Sequence, residues 1–127
     1  MKQVTAGILR DKSGRVLLCR RAVGQNNAGD WEFPGGKLED AESYKNCLAR
    51  ELAEELGIQA QVGEIIIESE YQYSKGAIHL VAMNVLSWNG ELVLQVHDSF
   101  AWVEPRCLLD YALSAADVPV ARKLASM

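Results

Sequence analysis

Three glutamates within one short stretch, Glu51, Glu54 and Glu55, carry the clearest chemistry in this 127-residue chain. At about 100° per residue of an α-helix they share an arc roughly 100° wide on one face. Stacked like charges weaken a helix by a few tenths of a kcal/mol per pair, so such a cluster needs solvent or a cation. Oxygen-only ligands on a rigid support suit Mg²⁺, with Mn²⁺ as a substitute. The softer ligands that zinc prefers are missing: the three cysteines, Cys19, Cys47 and Cys107, are widely spaced and form no Cys-x-x-Cys. Reduced thiols fit that pattern better than a disulfide scaffold. Taken alone, the glutamates also read as an ordinary solvated acidic face. Their setting argues against this. Gly35 and Gly36 precede them, Arg50 stands directly before Glu51, and Gly57 follows.

The elements that must position these residues can be read from the hydrophobic pattern. Leu48, Leu52 and Leu56 recur every four residues, which predicts a helix over 41–56 with one apolar stripe. Asp40 is placed to cap it, Glu42 suits its positive end, and Gly57 terminates it. Residues 3–10 and 16–19 read as strands joined by the turn chemistry of 11–14, and 31–33 as a brief strand running into Pro34, Gly35 and Gly36. The Gly- and Asn-rich stretch 22–30 is a loop. Residues 61–73 and 77–88 read as two long strands. Asn89 and Gly90 signal a hairpin into a strand at 91–94. A last strand is expected at 100–103, with helices over 105–112 and 118–125. Strands, a helix, more strands, then helices describe an α+β chain forming one domain, 1–127, without a Rossmann repeat.

Charge narrows the partners. The net charge is −4, with 13 Lys and Arg against 17 Asp and Glu. A nucleic-acid polymer is therefore not expected as a partner, because backbone binding needs a cationic surplus. An anionic substrate would require local neutralisation, for which a divalent metal is the natural agent. No apolar run approaches membrane-spanning length, so no membrane partner is expected and the cytoplasm is the expected compartment.

Residues 36–58 resemble the Nudix box: Gly, five residues, Glu, seven residues, Arg-Glu, an aliphatic, any residue, Glu-Glu, any residue, Gly, an aliphatic. Gly36, Glu42, Arg50, Glu51, Leu52, Glu54, Glu55, Gly57 and Ile58 match every fixed position. The run from Trp31 to Lys37 is similar to the MutT-like branch of that family. The stretches 63–85 and 115–124 look closest to its CTP and oxidised-nucleotide pyrophosphohydrolases. The resemblance implies an α/β/α sandwich with a mixed sheet and a loop-helix-loop catalytic motif. It implies that Glu51, Glu54, Glu55 and the Gly35 carbonyl hold Mg²⁺ (or Mn²⁺), with Arg50 orienting a glutamate, Glu42 bracing loop and helix, and Glu51 or Glu54 as general base. The reaction implied is cleavage of a nucleoside triphosphate, of the 8-oxo-dGTP or CTP type, to a monophosphate and pyrophosphate. The alternatives are a Nudix hydrolase of ADP-ribose or a dinucleoside polyphosphate, or a nucleotide-binding module without catalysis. The expected assembly is a monomer or homodimer.

The same resemblance points to Arg21 and Lys37 as phosphate contacts, with Arg20 a weaker candidate, and to Glu32 and Asp117 at the substrate. Asp117 reads equally as a base-edge contact and as the cap of the helix beginning at Val118. Phe33 and Met83 could pack against a base but read mainly as core, and Trp102 reads as core. Tyr71 and Tyr73 line a pocket or cover the sheet. A further metal-binding Glu of the MutT branch falls on Val96. Asp98 could replace it as a ligand, and His97 could contact phosphate or water; both are also ordinary loop chemistry.

Overall fold

Alternation along the strands divides the interior into two cores. The computed structural model describes all residues 1–127. β1 (Lys2–Ile8), β2 (Val16–Arg21), β3 (Trp31–Glu32), β4 (Gln59–Tyr73), β5 (Gly76–Asn89) and β6 (His97–Val103) supply the strands. They form two three-stranded sheets, β1-β5-β4 and β3-β2-β6. β1 runs parallel to β5 and β4 antiparallel to it, so the first sheet is mixed; β3 and β6 both run antiparallel to β2. Leu17 and Cys19 of β2 and Val81, Met83 and Val85 of β5 bury against one helix, α1 (Tyr44–Leu56), and its Leu48, Leu52 and Leu56. Val16, Leu18, Leu80 and Ala82 face the opposite core, with Val120, Ala121 and Leu124 of α2 (Val118–Ala125). Neighbours on a strand point to opposite faces, so the two sheets are sandwiched between α1 and α2. The expected α/β/α arrangement is observed. Each fully buried leucine of α1 contributes about 1.5–3 kcal/mol relative to exposure.

The helix carrying the glutamates starts later than its periodicity suggested. Ala41 takes a left-handed φ of 64°, which breaks the helix before it begins. The cap is Ser43, whose Oγ accepts from the Asn46 amide at 3.1 Å, and not Asp40. Gly57, at φ 68°, closes the other end and donates to the Ala53 carbonyl, as its freedom from Cβ strain allows.

Residues 91–94 form no strand, and Asn89 and Gly90 make no hairpin. The chain instead runs along the end of α1, where Val93 and Gln95 donate to the Leu56 and Glu55 carbonyls. Those carbonyls lack partners within the helix, and satisfying them outweighs the local β-preference of Leu92, Val93 and Leu94. Residues 105–110 coil as a 3₁₀ helix instead of an α-helix. Trp102 stacks on Trp88 with ring centroids 6.0 Å apart. Phe33 and Met83 are buried core residues. Tyr71 and Tyr73 meet edge to face at 4.6 Å on β4, and Tyr73 packs against the α2-side core. No helix is long and apolar enough to cross a membrane.

Candidate active site

The loop before α1 is pinned to β1 through alternate carbonyls. Gly7 donates to Pro34 at 2.7 Å and Thr5 to Gly36 at 2.8 Å. The Thr5 hydroxyl adds a second bond to the Gly36 carbonyl at 3.1 Å. The Gly35 carbonyl between them accepts from no protein group, as expected for a carbonyl pointing the other way. A side chain at Gly35 meets fixed backbone, its Cβ overlapping the Thr5 carbonyl, whereas one at Gly36 would have to displace the Glu51 carboxylate. Thr5, buried at 1% exposure, was not singled out from sequence. Its signal was a hydroxyl inside an otherwise apolar strand.

Arg50 organises the acidic face. Its Nε and Nη2 donate to the two oxygens of Glu42 at 2.7 and 3.0 Å, and Nη2 also reaches the Lys37 carbonyl at 3.1 Å. Its Nη1 donates to Glu51 at 2.9 Å and to Glu54 at 3.2 Å. This guanidinium, with the Glu39 backbone amide donating to Glu42 at 3.1 Å in addition, holds the Glu42 carboxyl down at about 2. In return Arg50 stays charged at any working pH. Arg50 thereby ties Glu42, the Lys37 carbonyl and Glu51 to one guanidinium.

Glu55 is in a different situation. Burial, and then the negative charges of Glu32 and Glu51, push its carboxyl up to about 8; Arg21 and the Gly35 amide pull the other way. Its Oε1 is buried with no hydrogen-bond partner. Burial likewise raises Glu51, with Arg50 opposing and Glu54 adding to the rise. Like charges crowded in a half-dry site, an orphaned carboxylate oxygen and an unclaimed carbonyl form a donor set suited to a hard divalent cation. No three acidic, His or Cys side chains converge on a common point in this arrangement. The expected ligand set shares a face, and Arg50 draws Glu51 and Glu54 onto its own nitrogens. Glu54, 58% exposed, has room to turn from Arg50 toward its neighbours.

The remaining expected residues fall around this face. Lys37 and Arg50 line an open groove with Glu39, Asp40 and Glu51. Arg21 donates to Glu32 at 3.3 Å. Asp98, expected as a possible ligand, pairs with Arg20 through one oxygen at 2.7 Å. His97 is the first residue of β6, not part of a loop, and with its side chain 0% exposed it contacts neither solvent nor an open phosphate position. It faces Glu32 at 2.9 Å, a meeting that the sequence does not announce because it depends on strand register. Asp117 is 6% exposed and makes no capping hydrogen bond to α2. The capping alternative therefore lacks its bond. Burial first, and then the Glu32 charge, raises the Asp117 carboxyl well above its ordinary range, toward the protonated form.

The NUDIX domain profile matches residues 1–124. The chain belongs to the Nudix family. This Nudix chain is 41% identical over 120 residues to a CTP pyrophosphohydrolase of Escherichia coli K12, spanning 94% of this chain and 88% of that protein. It is 36% identical to an 8-oxo-dGTP diphosphatase of Haemophilus influenzae over 94% of this chain and 84% of that one. Among solved structures it is similar to the E. coli ORF135 protein, with TM-score 0.89, 39% identity and coverage of 99% and 89% of the two chains. A MutT protein from Methanosarcina mazei superposes with TM-score 0.89 at 26% identity, covering 98% and 93%. The Nudix fold and the MutT-like branch expected from residues 31–58 are both found.

Proposed function

We propose that this Nudix protein cleaves nucleoside triphosphates of the cytosine or oxidised-guanine type to a monophosphate and pyrophosphate, with Mg²⁺ held by Glu51, Glu54, Glu55 and the Gly35 carbonyl. The observation that carries the proposal is Glu55: a carboxyl raised to about 8 by burial and neighbouring carboxylates, with one oxygen unpartnered. Natural chains satisfy buried polar atoms unless something else completes them. A divalent cation bound there neutralises phosphate oxygens and lowers the pKa of a water.

The chain's own groups then have separate tasks. Arg50 fixes Glu51, and either Glu51 or Glu54 accepts the proton of the attacking water, provided it lies within hydrogen-bond reach. Arg21 and Lys37 supply positive charge for the phosphates, Arg21 with a fork of donors and Lys37 as a point charge. At the other end of the nucleotide, the open Glu32 oxygen accepts, and Asp117, which burial pushes toward its protonated form, donates. That pair complements a base edge carrying an amino or imino N–H beside an acceptor, a pattern found on cytosine and on guanine-derived bases. The names of the relatives, CTP pyrophosphohydrolase and 8-oxo-dGTP diphosphatase, support the same two classes. Such an enzyme would act on the nucleotide pool of the cytoplasm, as a monomer or homodimer, and would remove damaged precursors before they reach DNA.

The test is a panel of normal and oxidised nucleoside triphosphates, with pyrophosphate release followed at low substrate concentration. Release with MgCl₂ and none with excess chelator is expected, with CTP-type or 8-oxo-dGTP substrates leading in kcat/KM. No pyrophosphate from any member of the panel with Mg²⁺ present would reject the proposal.

A further inference from the structure

We propose that His97 is a positioning residue for base recognition: it fixes the Glu32 carboxylate by one oxygen so that the other stays open to an N–H donor of the nucleotide. This rests on the nucleotide-hydrolase reading above and adds a residue to it.

The local backbone explains why His97 points inward. β2 and β6 pair in register from Val16 with Val103 to Arg20 with Ser99, and then Arg21 pairs with His97. Asp98 is the extra residue. A bulge of this kind bends the strand and re-aims its side chains. Asp98 goes outward to Arg20, and His97 goes into the interior beside Glu32.

Three observations then point to a job for that imidazole. First, the bonds from Arg21 and His97 end on the same oxygen of Glu32, Oε2. Oε1 accepts from no group of the chain, although the side chain retains 18% exposure. Second, the His97 ring is fully enclosed and its Nδ1 has no partner. An apolar residue of similar size would avoid that cost, and Glu32 is the sole hydrogen-bond partner that the ring finds in return. Facing a carboxyl oxygen that also accepts from Arg21, Nε2 is the nitrogen that donates. Third, Glu32 stands between the two halves of the site, since its charge is felt by Glu55 on one side and by Asp117 on the other.

The two groups on Oε2 are not equivalent. Arg21 lies 3.3 Å from it and also donates to the Asn26 carbonyl at 3.2 Å, so it can be recruited by phosphate. His97 is enclosed and has nowhere else to go. When Arg21 turns to the triphosphate, His97 still holds Glu32 in its acceptor orientation.

The experiment compares His97→Gln, His97→Asn and His97→Phe, alone and combined with Glu32→Gln. CTP and 8-oxo-dGTP are each titrated calorimetrically into full-length protein in EDTA. Gln places its amide near the Nε2 position, whereas Asn reaches only as far as Nδ1, and Phe keeps the volume without a donor. Loss of a charge-assisted hydrogen bond predicts about tenfold weaker binding of the preferred nucleotide for Phe and Asn. Gln should stay within about threefold of wild type. In the Glu32→Gln background the same changes at position 97 should cost less than about twofold, because contacting residues that act as a unit are not additive. Thermal melts identify any variant that fails to fold, and the Asn and Gln pair carries the test if Phe does. Wild-type affinity in both His97→Phe and His97→Asn overturns the proposal. So does a loss of equal size with or without Glu32, or failure of wild type to bind either nucleotide. Pyrophosphate release by wild type with Mg²⁺ is scored separately, so the hydrolase reading and the role of His97 stand or fall on different measurements.

Discussion

Replacing Glu55 by Gln should stabilise the metal-free protein while abolishing its use of metal. The folded-state carboxyl lies at about 8 against an ordinary 4.5, with burial as the main cause. The folded chain therefore holds a proton that the unfolded chain has already released. Stability from this group is complete below about pH 4.5 and is lost as pH rises toward about 8. The span is about 3.5 pH units at about 1.4 kcal/mol each, which caps the loss near 5 kcal/mol. Water reaching a partly exposed group lowers this to about 2–4 kcal/mol. Gln keeps the shape without the charge. For a domain of this size each kcal/mol moves Tm by about 3–6 °C. In EDTA at pH 8, Glu55→Gln should then melt roughly 10 °C above wild type, and the two should coincide near pH 4.5. MgCl₂ should raise the Tm of wild type at pH 8 and leave the variant unmoved, while pyrophosphate release by the variant falls about 100-fold or more. Melts across pH 4.5–8 with and without Mg²⁺ provide the check. Asp117 is raised in both proteins, so the difference between the curves reports Glu55 together with its coupling to Glu51. Parallel curves in EDTA would refute the reasoning, because the carboxyl would then carry no ionisation cost.

Arg50→Lys exchanges a fork that serves Glu42, Glu51 and Glu54 for a point charge. Turnover should drop about 100-fold and Tm should fall by an amount equivalent to about 1–2 kcal/mol, read by steady-state kinetics and melting. Gly36→Ala should drive the Glu51 carboxylate from its place, raising the Mg²⁺ concentration for half-maximal activity about tenfold; an unchanged Mg²⁺ titration would contradict the packing. Asp117 makes no capping bond, so Asp117→Ala should shift Tm by only a few degrees. It should change the ratio of kcat/KM for CTP over 8-oxo-dGTP about tenfold, and a uniform loss across substrates would return Asp117 to a structural role.

The acidic helix was legible because its information is local. Side chains three and four apart share a face in any α-helix, so Glu51, Glu54, Glu55 and the leucine stripe could be placed without knowing what they pack against. The boundary was less legible. Asp40 and Ser43 are both good caps, and only the left-handed turn at Ala41 decides between them. Leu92, Val93 and Leu94 have strand preferences, yet their amides lie where the end of α1 needs donors. Propensity describes one segment at a time and cannot register a demand made by another.

The same division applies to the site. Residue types and spacing along the chain determined that this protein carries an acidic helix behind a double glycine. Tertiary structure decided which carboxylates are pushed toward protonation, because burial and neighbouring charge exist only after the sheets close over Glu55 and Asp117. It also decided that His97, Glu32 and Arg21 meet. The bond from His97 to Glu32 joins residues 65 apart in sequence and depends on one bulged residue, whose effect on facing direction no period along the chain encodes.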